Sequence, residues 1–577
     1  MSEITKPIVL DETFSASMAG VVAELKRGND LKAIDLSAAF DGTKATYDKI
    51  MRKWFLANGV NAMTSEGITE LCNRWYTLTR DGWDGYTAFS NPDLSTTSTG
   101  TRGGDNASLS CTPSTDAVAG QDDYSGLPLF ACVDVNYVVD PDSLDIVVTA
   151  IRGITDTFIA SDPDTFVGVM QMSGYHYTYE TGTTYVHGYS DHEVSIGNCA
   201  PLPEAVRVDG TVRPFVVHSK YMNHTVNGKL TSYAGVIPTA YSVSHNSLHA
   251  LSNATGSQYS GGTTADLAFL ILMVYIKYAS LTLDGIMQGC CNYNGQYYAQ
   301  IAESGVKRVI VPSNAMIEEG SSVLIGTYNG SSADRQQAAN YNVSTNAGVI
   351  VSDVESVIID GTTYKAVYVD VGDAFDTVAD GDATSGTTII STFHWRNGAT
   401  DRVLGNDGSP VSNTDAQHPF KCQGIEYMVG GYETLADVIM NIAINADDGN
   451  SYYTPHIVKR SANQAASITA NYIALNDLSI VCPTASSWQY IKKLGFSDGV
   501  FYPEEVGGSS GTYTKDAFYQ NANNAVGTRE WLSFGYLSAG TAPVGLSCLY
   551  GHVTLGYAAW NDLARLSPNG NRGEWAA

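Results

Sequence analysis

Four aspartates, Asp140, Asp142, Asp162 and Asp164, stand in two Asp-Pro-Asp steps. Paired carboxylates can hydrolyse glycosidic bonds, one as acid and the other as base or nucleophile. In an Asp-Pro-Asp step, however, short acidic side chains cap and turn the backbone, and that role is expected here. His218, His224, His245 and His249 are near one another in the chain but lack metal-ligand spacing, so local hydrogen bonding is expected of them. The nine cysteines are odd in number and include no CxxC pair, which indicates neither a disulfide framework nor a zinc site. No His-Glu-x-x-His or phosphate-cradling glycine loop is present. The expectation is a protein without catalytic residues, resident metal or cofactor.

A second group of residues suits binding. Between Trp531 and Asn561 lie Phe534, Tyr536, Tyr550, His552, Tyr557 and Trp560, set among Gly, Ser and Ala. Aromatic side chains on a rigid backbone stack on sugar rings or anchor protein contacts at low entropic cost. Trp531, Phe534 and Trp560 serve equally well as core. Tyrosine hydroxyls need a partner or water, which favours the surface for Tyr536, Tyr550 and Tyr557. The candidate ligand-binding residues are therefore Tyr536, Tyr550, His552, Tyr557 and Trp560.

The elements that must position these residues are mostly strands. Three helices open the chain. The first runs from an N-cap at Asp11 to Gly28, the second covers Thr46 to Asn58, and the third places Ile68, Leu71, Cys72, Trp75 and Leu78 on one face. Strands are expected at Leu129–Val138, Leu144–Val148, Phe166–Met172 and Pro214–Tyr221, with a hairpin over Tyr175–Tyr189 turning at Glu180-Thr181-Gly182. Thr264 to Ala279 is the one strongly hydrophobic helix of the body and reads as core. Short β-branched runs between 302 and 392, punctuated by Gly, Asn and Asp, suit a small barrel or sandwich. The Asp-rich stretch from Asp370 to Asp382 matches no calcium-loop spacing and reads as solvated turns.

Length alone suggests several domains. Charged residues make up only 16% of the chain, and Tyr outnumbers Phe by 35 to 16, which suits wet, adhesive surfaces. Residues 1–82 hold 10 basic and 11 acidic residues, and the remainder holds 22 and 48. A body this acidic repels nucleic acid and anionic membranes. The near-neutral 1–82 segment is the better docking element, and the body is expected to stay folded without it. Met1 leads into polar sequence with no apolar signal region, and the longest apolar run, Leu267 to Ile276, is too short to span a bilayer. Cytosolic synthesis follows.

The stretch from Arg213 resembles the C-type-lectin-like fold shared by formylglycine-generating enzymes and retroelement-diversified phage proteins. The resemblance rests on the strand Phe215 to Tyr221, the turn Asn227 to Ser232, Ile237-Pro238, and Thr263-Thr264-Ala265-Asp266. It continues in Gly424-Ile425-Glu426, where Tyr427 and Gly431 stand in place of two usual asparagines. It ends in Trp560-Asn561-Asp562-Leu563-Ala564-Arg565-Leu566-Ser567-Pro568-Asn569-Gly570-Asn571-Arg572-Gly573-Glu574-Trp575, where Leu563 replaces a usual glycine. Thr5 to Thr13 is similar to openings of phage tail and head-fibre proteins.

The resemblance implies an α+β, mostly β chain. A helical docking segment (1–82) precedes a β-rich domain (83–212). A C-type-lectin-like domain (213–301 and 393–577) follows, interrupted by an inserted β domain (302–392) whose excision would leave the lectin-like core folded. It implies a virion protein that binds a host glycan or protein through the C-terminal face. Other virion proteins would hold the N-terminal segment, in a homo-oligomer such as a trimer. Arg565 and Trp575 would be structural. A decoration or fibre protein that does not touch the receptor is the alternative, and a polysaccharide hydrolase is a third reading. The copper-binding cysteine pair of the enzymes has no counterpart near the C-terminus, where Cys548 stands alone and Cys290-Cys291 lie far upstream.

Overall fold

Thr43 accepts a hydrogen bond from the Thr46 amide and opens helix α1, Lys44–Ala57; Thr64 does the same for Gly67 and opens α2, Ser65–Asp81. Both are amphipathic. Tyr47, Ile50, Met51, Trp54 and Phe55 line one face of α1, and Ile68, Leu71, Cys72, Trp75 and Tyr76 line one face of α2. These faces meet each other, the Trp75 indole donating to the Tyr47 hydroxyl at 2.8 Å. They also cover a four-stranded antiparallel sheet ordered Ile146–Ile151, Cys132–Val139, Phe166–Met172, Phe215–Ser219. Tyr76 lies 5.9 Å from Phe215, and the Val148 amide donates to the Thr69 hydroxyl at 2.9 Å.

The computed structural model describes residues 43–82, 85–90, 97–182, 184–380, 383–483, 486–521, 526–540 and 545–574. The helix expected over 11–28 and the residue Trp575 lie outside them. Strands hold 35% of the chain against 15% in helices, so the protein is α+β and mostly β. No helix among the described residues is long and apolar enough to cross a membrane.

Two expectations change here. Helices α1 and α2 belong to the largest hydrophobic core, together with Phe215, Val217 and the helix described next. They are not a detachable segment, because removing them would bare the apolar face of the sheet. The expected edge at 212/213 also runs through a single sheet, since Phe215–Ser219 pairs along the whole of its length with Phe166–Met172.

Helix α3, His245–Thr255, starts with a capping box in which Ser244 and Ser247 bond each other's backbone. Thr263 and Asp266 form the same box for α4, Thr264–Tyr278. Residues Thr264 to Lys277 of α4 are all buried, as its all-round apolar sequence requires. The buried Lys277 ammonium ends this helix between Asp122 at 3.1 Å and Asp407 at 2.9 Å, with Gln423 Oε1 accepting at 2.9 Å. Two carboxylates and an amide give a desolvated charge the partners that it needs.

The chain end straps the halves of the molecule together. The Asn223 amide donates to Ala564 O at 2.8 Å, and Ser260–Gly261 pairs with Leu566–Ser567. Ser567 donates to Asp266 Oδ2 at 2.7 Å, and Asn569 Nδ2 donates to Val217 O at 3.0 Å and Asp266 Oδ1 at 2.8 Å. Arg572 reaches Asp437 at 2.7 Å. The terminal motif therefore ties strand Phe215–Ser219, the start of α4 and the 426–437 region to one another.

A six-stranded antiparallel sheet fills the middle of the chain, ordered Gln296–Tyr298, Thr388–Trp395, Ser321–Thr327, Val349–Ile359, Thr362–Val369, Arg308–Pro312. Its two ends approach one another, the Gln300 amide donating to Ile310 O at 2.9 Å, so the sheet curls into a small barrel. Val309, Val311, Val323, Ile325, Val351, Val367, Val369 and Ile390 fill its separate core. The barrel starts before residue 302 and ends after 392. Tyr293, Phe393 and Trp395 pack with Met222, Val429 and Trp560 in a core shared with the body. Excising 302–392 removes four of the six sheet strands and most of Thr388–Trp395, and leaves Gln296–Tyr298 unpaired. The expected result is an aggregating protein, checked by size-exclusion chromatography; a monodisperse, cooperatively melting product would contradict it.

His418 joins barrel to body. Its Nδ1 is 2.6 Å from Asp415 and its Nε2 2.8 Å from Glu318, and the ring is buried. Burial opposes its charge, but the two carboxylates outweigh that and push its pKa up to about 9. A folded pKa above the unfolded value stabilises fully below about 6.5, and this contribution is lost as pH rises through 9. Denaturation midpoints of wild type should thus fall between those pH values more steeply than those of His418→Gln. Parallel curves would show that the imidazolium is not held.

Candidate functional site

Of the expected ligand residues, Tyr550 is on a strand, and Tyr536, His552, Tyr557 and Trp560 on connecting segments, of a seven-stranded mixed sheet ordered Val500–Val506, Ser486–Ser497, Ala517–Asn521, Leu549–Tyr550, Leu532–Ser533, Tyr432–Thr434, Asp562–Leu563. Its register places Trp488 opposite Tyr519, and Tyr519 opposite Tyr550. Residues opposite one another in a sheet share a face, and these rings touch. Trp488 and Tyr519 are 5.0 Å apart, and Tyr519 and Tyr550 lie nearly parallel at 4.9 Å. Tyr432 continues the row at 5.3 Å from Tyr550, Tyr536 lies 5.0 Å further on, and Trp560 closes it at 5.7 Å. His552 flanks the row at 5.4 Å from Tyr519 and 5.7 Å from Tyr550.

Exposure divides this row into foundation and face. Tyr432 is 2% exposed and Trp560 6%. Trp488, Tyr519, Tyr536, Tyr550 and His552 are half-buried, and Tyr557 is exposed. Trp560 is thus not a displayed ligand residue: Tyr536 covers one side of it, and the Arg335 guanidinium of the barrel lies 4.7 Å from its ring. Arg335 is itself fixed by Asn294 at 3.0 Å and the Thr392 hydroxyl at 2.7 Å. Trp531 and Phe534, read as equally suited to core or surface, are core at 2% exposure each. Trp488 and Tyr519 were absent from the sequence candidates. The alternation around Trp488 marks a strand, but only pairing with Ala517–Asn521 and Leu549–Tyr550 gathers the rings.

Buried carboxylates underlie the face. Burial pushes Asp562 up to about 7, its one bond there being from the Ala559 amide at 2.8 Å. Burial also raises Glu530 well above the carboxylate range, and Glu530 accepts from the His245 amide at 3.0 Å. Both therefore stay protonated through the pH range in which ordinary carboxyls ionise. Burial and the nearby Arg529 lower His552. The face therefore offers ring planes, hydroxyls and a neutral imidazole, a set that stacks on sugars or receives an apolar protein anchor.

The other chemistry-bearing residues are occupied locally. Asp140 Oδ1 accepts from the Asp142 amide at 3.1 Å and the Ser143 amide at 2.7 Å, and Asp162 accepts from the Asp164 amide at 2.8 Å. These are the expected turn roles. His218 Nδ1 bonds Asp266 at 2.8 Å, His224 Nδ1 donates to Ile237 O at 2.6 Å, and His245 and His249 face each other at 3.2 Å. All nine cysteines are free thiols. Burial raises the Cys548 thiol strongly and pushes Cys291 up to about 12, so neither is a thiolate near neutrality. Among the described residues, one group could hold a metal, Cys111, Asp122 and Asp407, and the Lys277 ammonium already neutralises its carboxylates.

No protein-family model matches the chain, and no curated protein matches it either.

Proposed function

We propose that the chain is a bacteriophage virion surface protein that binds a host-cell glycan or protein through the aromatic face of its C-terminal region. The half-buried rings Trp488, Tyr519 and Tyr550, joined to Tyr536 through the buried Tyr432 and flanked by His552 and the exposed Tyr557, carry this reading. Aromatic rings of this kind stack on sugars or anchor protein contacts, and their rigid foundation keeps the entropic cost of binding low. The terminal strap is consistent with the lectin-like resemblance, because that motif serves as the closing tie of such domains. The protein acts by binding and not by catalysis. It attaches to other virion proteins through the chain preceding Thr43, in a homo-oligomer that multiplies weak contacts. The test is adhesion of purified protein to host cells: alanine variants at Tyr519 and Tyr557 should lose adhesion while remaining folded, and undiminished adhesion in both would remove the face from the function.

A further inference from the structure

A cavity of about 350 Å³ opens between α1, the start of strand Cys132–Val139 and the loops at 401–406 and 421–424. It lies outside the aromatic face and carries positive charge in a chain of net charge −27. Five cationic side chains and three carboxylates line it. Three cations are matched by the carboxylates: Lys44 with Asp48 at 3.0 Å, Arg152 with Asp134 at 2.7 Å, and Lys220 with Asp134 and Asp401 at 2.8 Å each. Arg52 and Lys421 remain without a carboxylate in ion-pair reach among the described residues.

Lys421 is 8% exposed, and its ammonium donates to one group, Val403 O at 3.1 Å. A buried ammonium with three donors and one neutral acceptor is under-compensated, and burial lowers its pKa accordingly. The same wall contains Asn406, whose buried Nδ2 has no acceptor. Unmatched donors of this kind are what an incoming oxyanion satisfies. Ile154 and Leu404 add apolar wall for ring carbons. The volume falls in the range of small-ligand sites, about 300–1,000 Å³.

We propose that this cavity is a second binding site, for a sugar-sized ligand bearing a carboxylate or phosphate that Lys421 and Arg52 engage. It does not rest on the role of the aromatic face. The two exposed and buried cations divide the work: Arg52, on the open side of α1, captures the anion, and Lys421 holds it within the wall. The pairing of the other three cations keeps the cavity from accepting highly charged polyanions, because only two positive charges are unspent.

Isothermal titration calorimetry of the full chain tests this with D-glucuronate, D-glucose 6-phosphate, inorganic phosphate and neutral D-glucose. One of the two charged sugars should bind saturably and glucose should not. The tighter of the two identifies the anion as carboxylate or phosphate. Lys421→Gln and Arg52→Gln should each weaken binding about tenfold or more. Arg52 is exposed, so its variant keeps the test valid should Lys421→Gln misfold. No saturation by either charged sugar up to about 10 mM, a range that would detect even millimolar affinity, overturns the proposal. So does wild-type affinity in Arg52→Gln, or equal affinity for inorganic phosphate and both sugars.

Discussion

Replacing Arg565 with alanine will destabilise the fold by about 3–5 kcal/mol, the usual cost of stripping one partner from a buried ion pair. The guanidinium is 1% exposed and spends its donors on three separate segments. Nη1 donates to Ser219 O at 2.9 Å and Lys220 O at 3.1 Å, Nη2 donates to Glu426 O at 2.7 Å, and Nε bonds Glu433 at 3.3 Å. Its plane lies 4.8 Å from the Tyr427 ring. Alanine leaves the buried Glu433 carboxylate without its cation and takes a donor from three carbonyls, of which Lys220 O keeps the Glu426 amide at 3.0 Å. Lysine will rescue little, because one ammonium cannot reach acceptors arrayed around a planar fork. Urea denaturation followed by near-ultraviolet circular dichroism measures this. An unchanged midpoint in Arg565→Ala would mean that the terminal strap does not hold the halves together.

The second large effect belongs to the aromatic face and should appear in binding, not stability. Alanine at Tyr519 or Tyr557 should cost about 1–3 kcal/mol of adhesion, the range for an anchoring aromatic side chain. Tyr557 is 41% exposed, so its melting temperature should barely move. Tyr550 touches Tyr432, Tyr519 and His552 and will lose some stability as well. Trp560→Ala provides the opposite control: a buried indole lost from the core that joins barrel and body should cost about 3–5 kcal/mol of stability. Melting temperature and cell adhesion measured on the same four variants separate the two classes. Tyrosine variants that unfold, beside a Trp560 variant that stays folded and fails to adhere, would show the face to be inverted.

Several elements were legible from short-range pattern. The run Thr264 to Ala279 is apolar on all sides, and a helix of that kind can only be interior, as α4 is. Tyr175 to Tyr189 alternates around Gly182, which adopts the left-handed backbone of a turn at φ 60°, and the hairpin forms there. The β-branched runs between 302 and 392 become barrel strands, the longest of them Val349–Ile359. Local propensity carries such features because it depends on neighbours a few residues away.

The arrangement of the candidate site depends on contacts between residues far apart in the chain, which periodicity does not encode. Trp488, Tyr519 and Tyr550 belong to three strands, and only their register sets the rings side by side. Trp560 carries the same residue type as a surface anchor, yet Arg335 and Tyr536 bury it. Helices α1 and α2 look separable by charge, but their apolar faces have the sheet at Cys132–Val139 and its neighbours as their partner. The sequence alone determined a mostly β chain and an interior helix, since each follows from residue type and near spacing, whereas the structural role of the terminal motif was what its resemblance implied. Tertiary structure decided which aromatics are displayed and which cations are left unmatched, because burial and pairing are properties of segments brought together, not of any one of them.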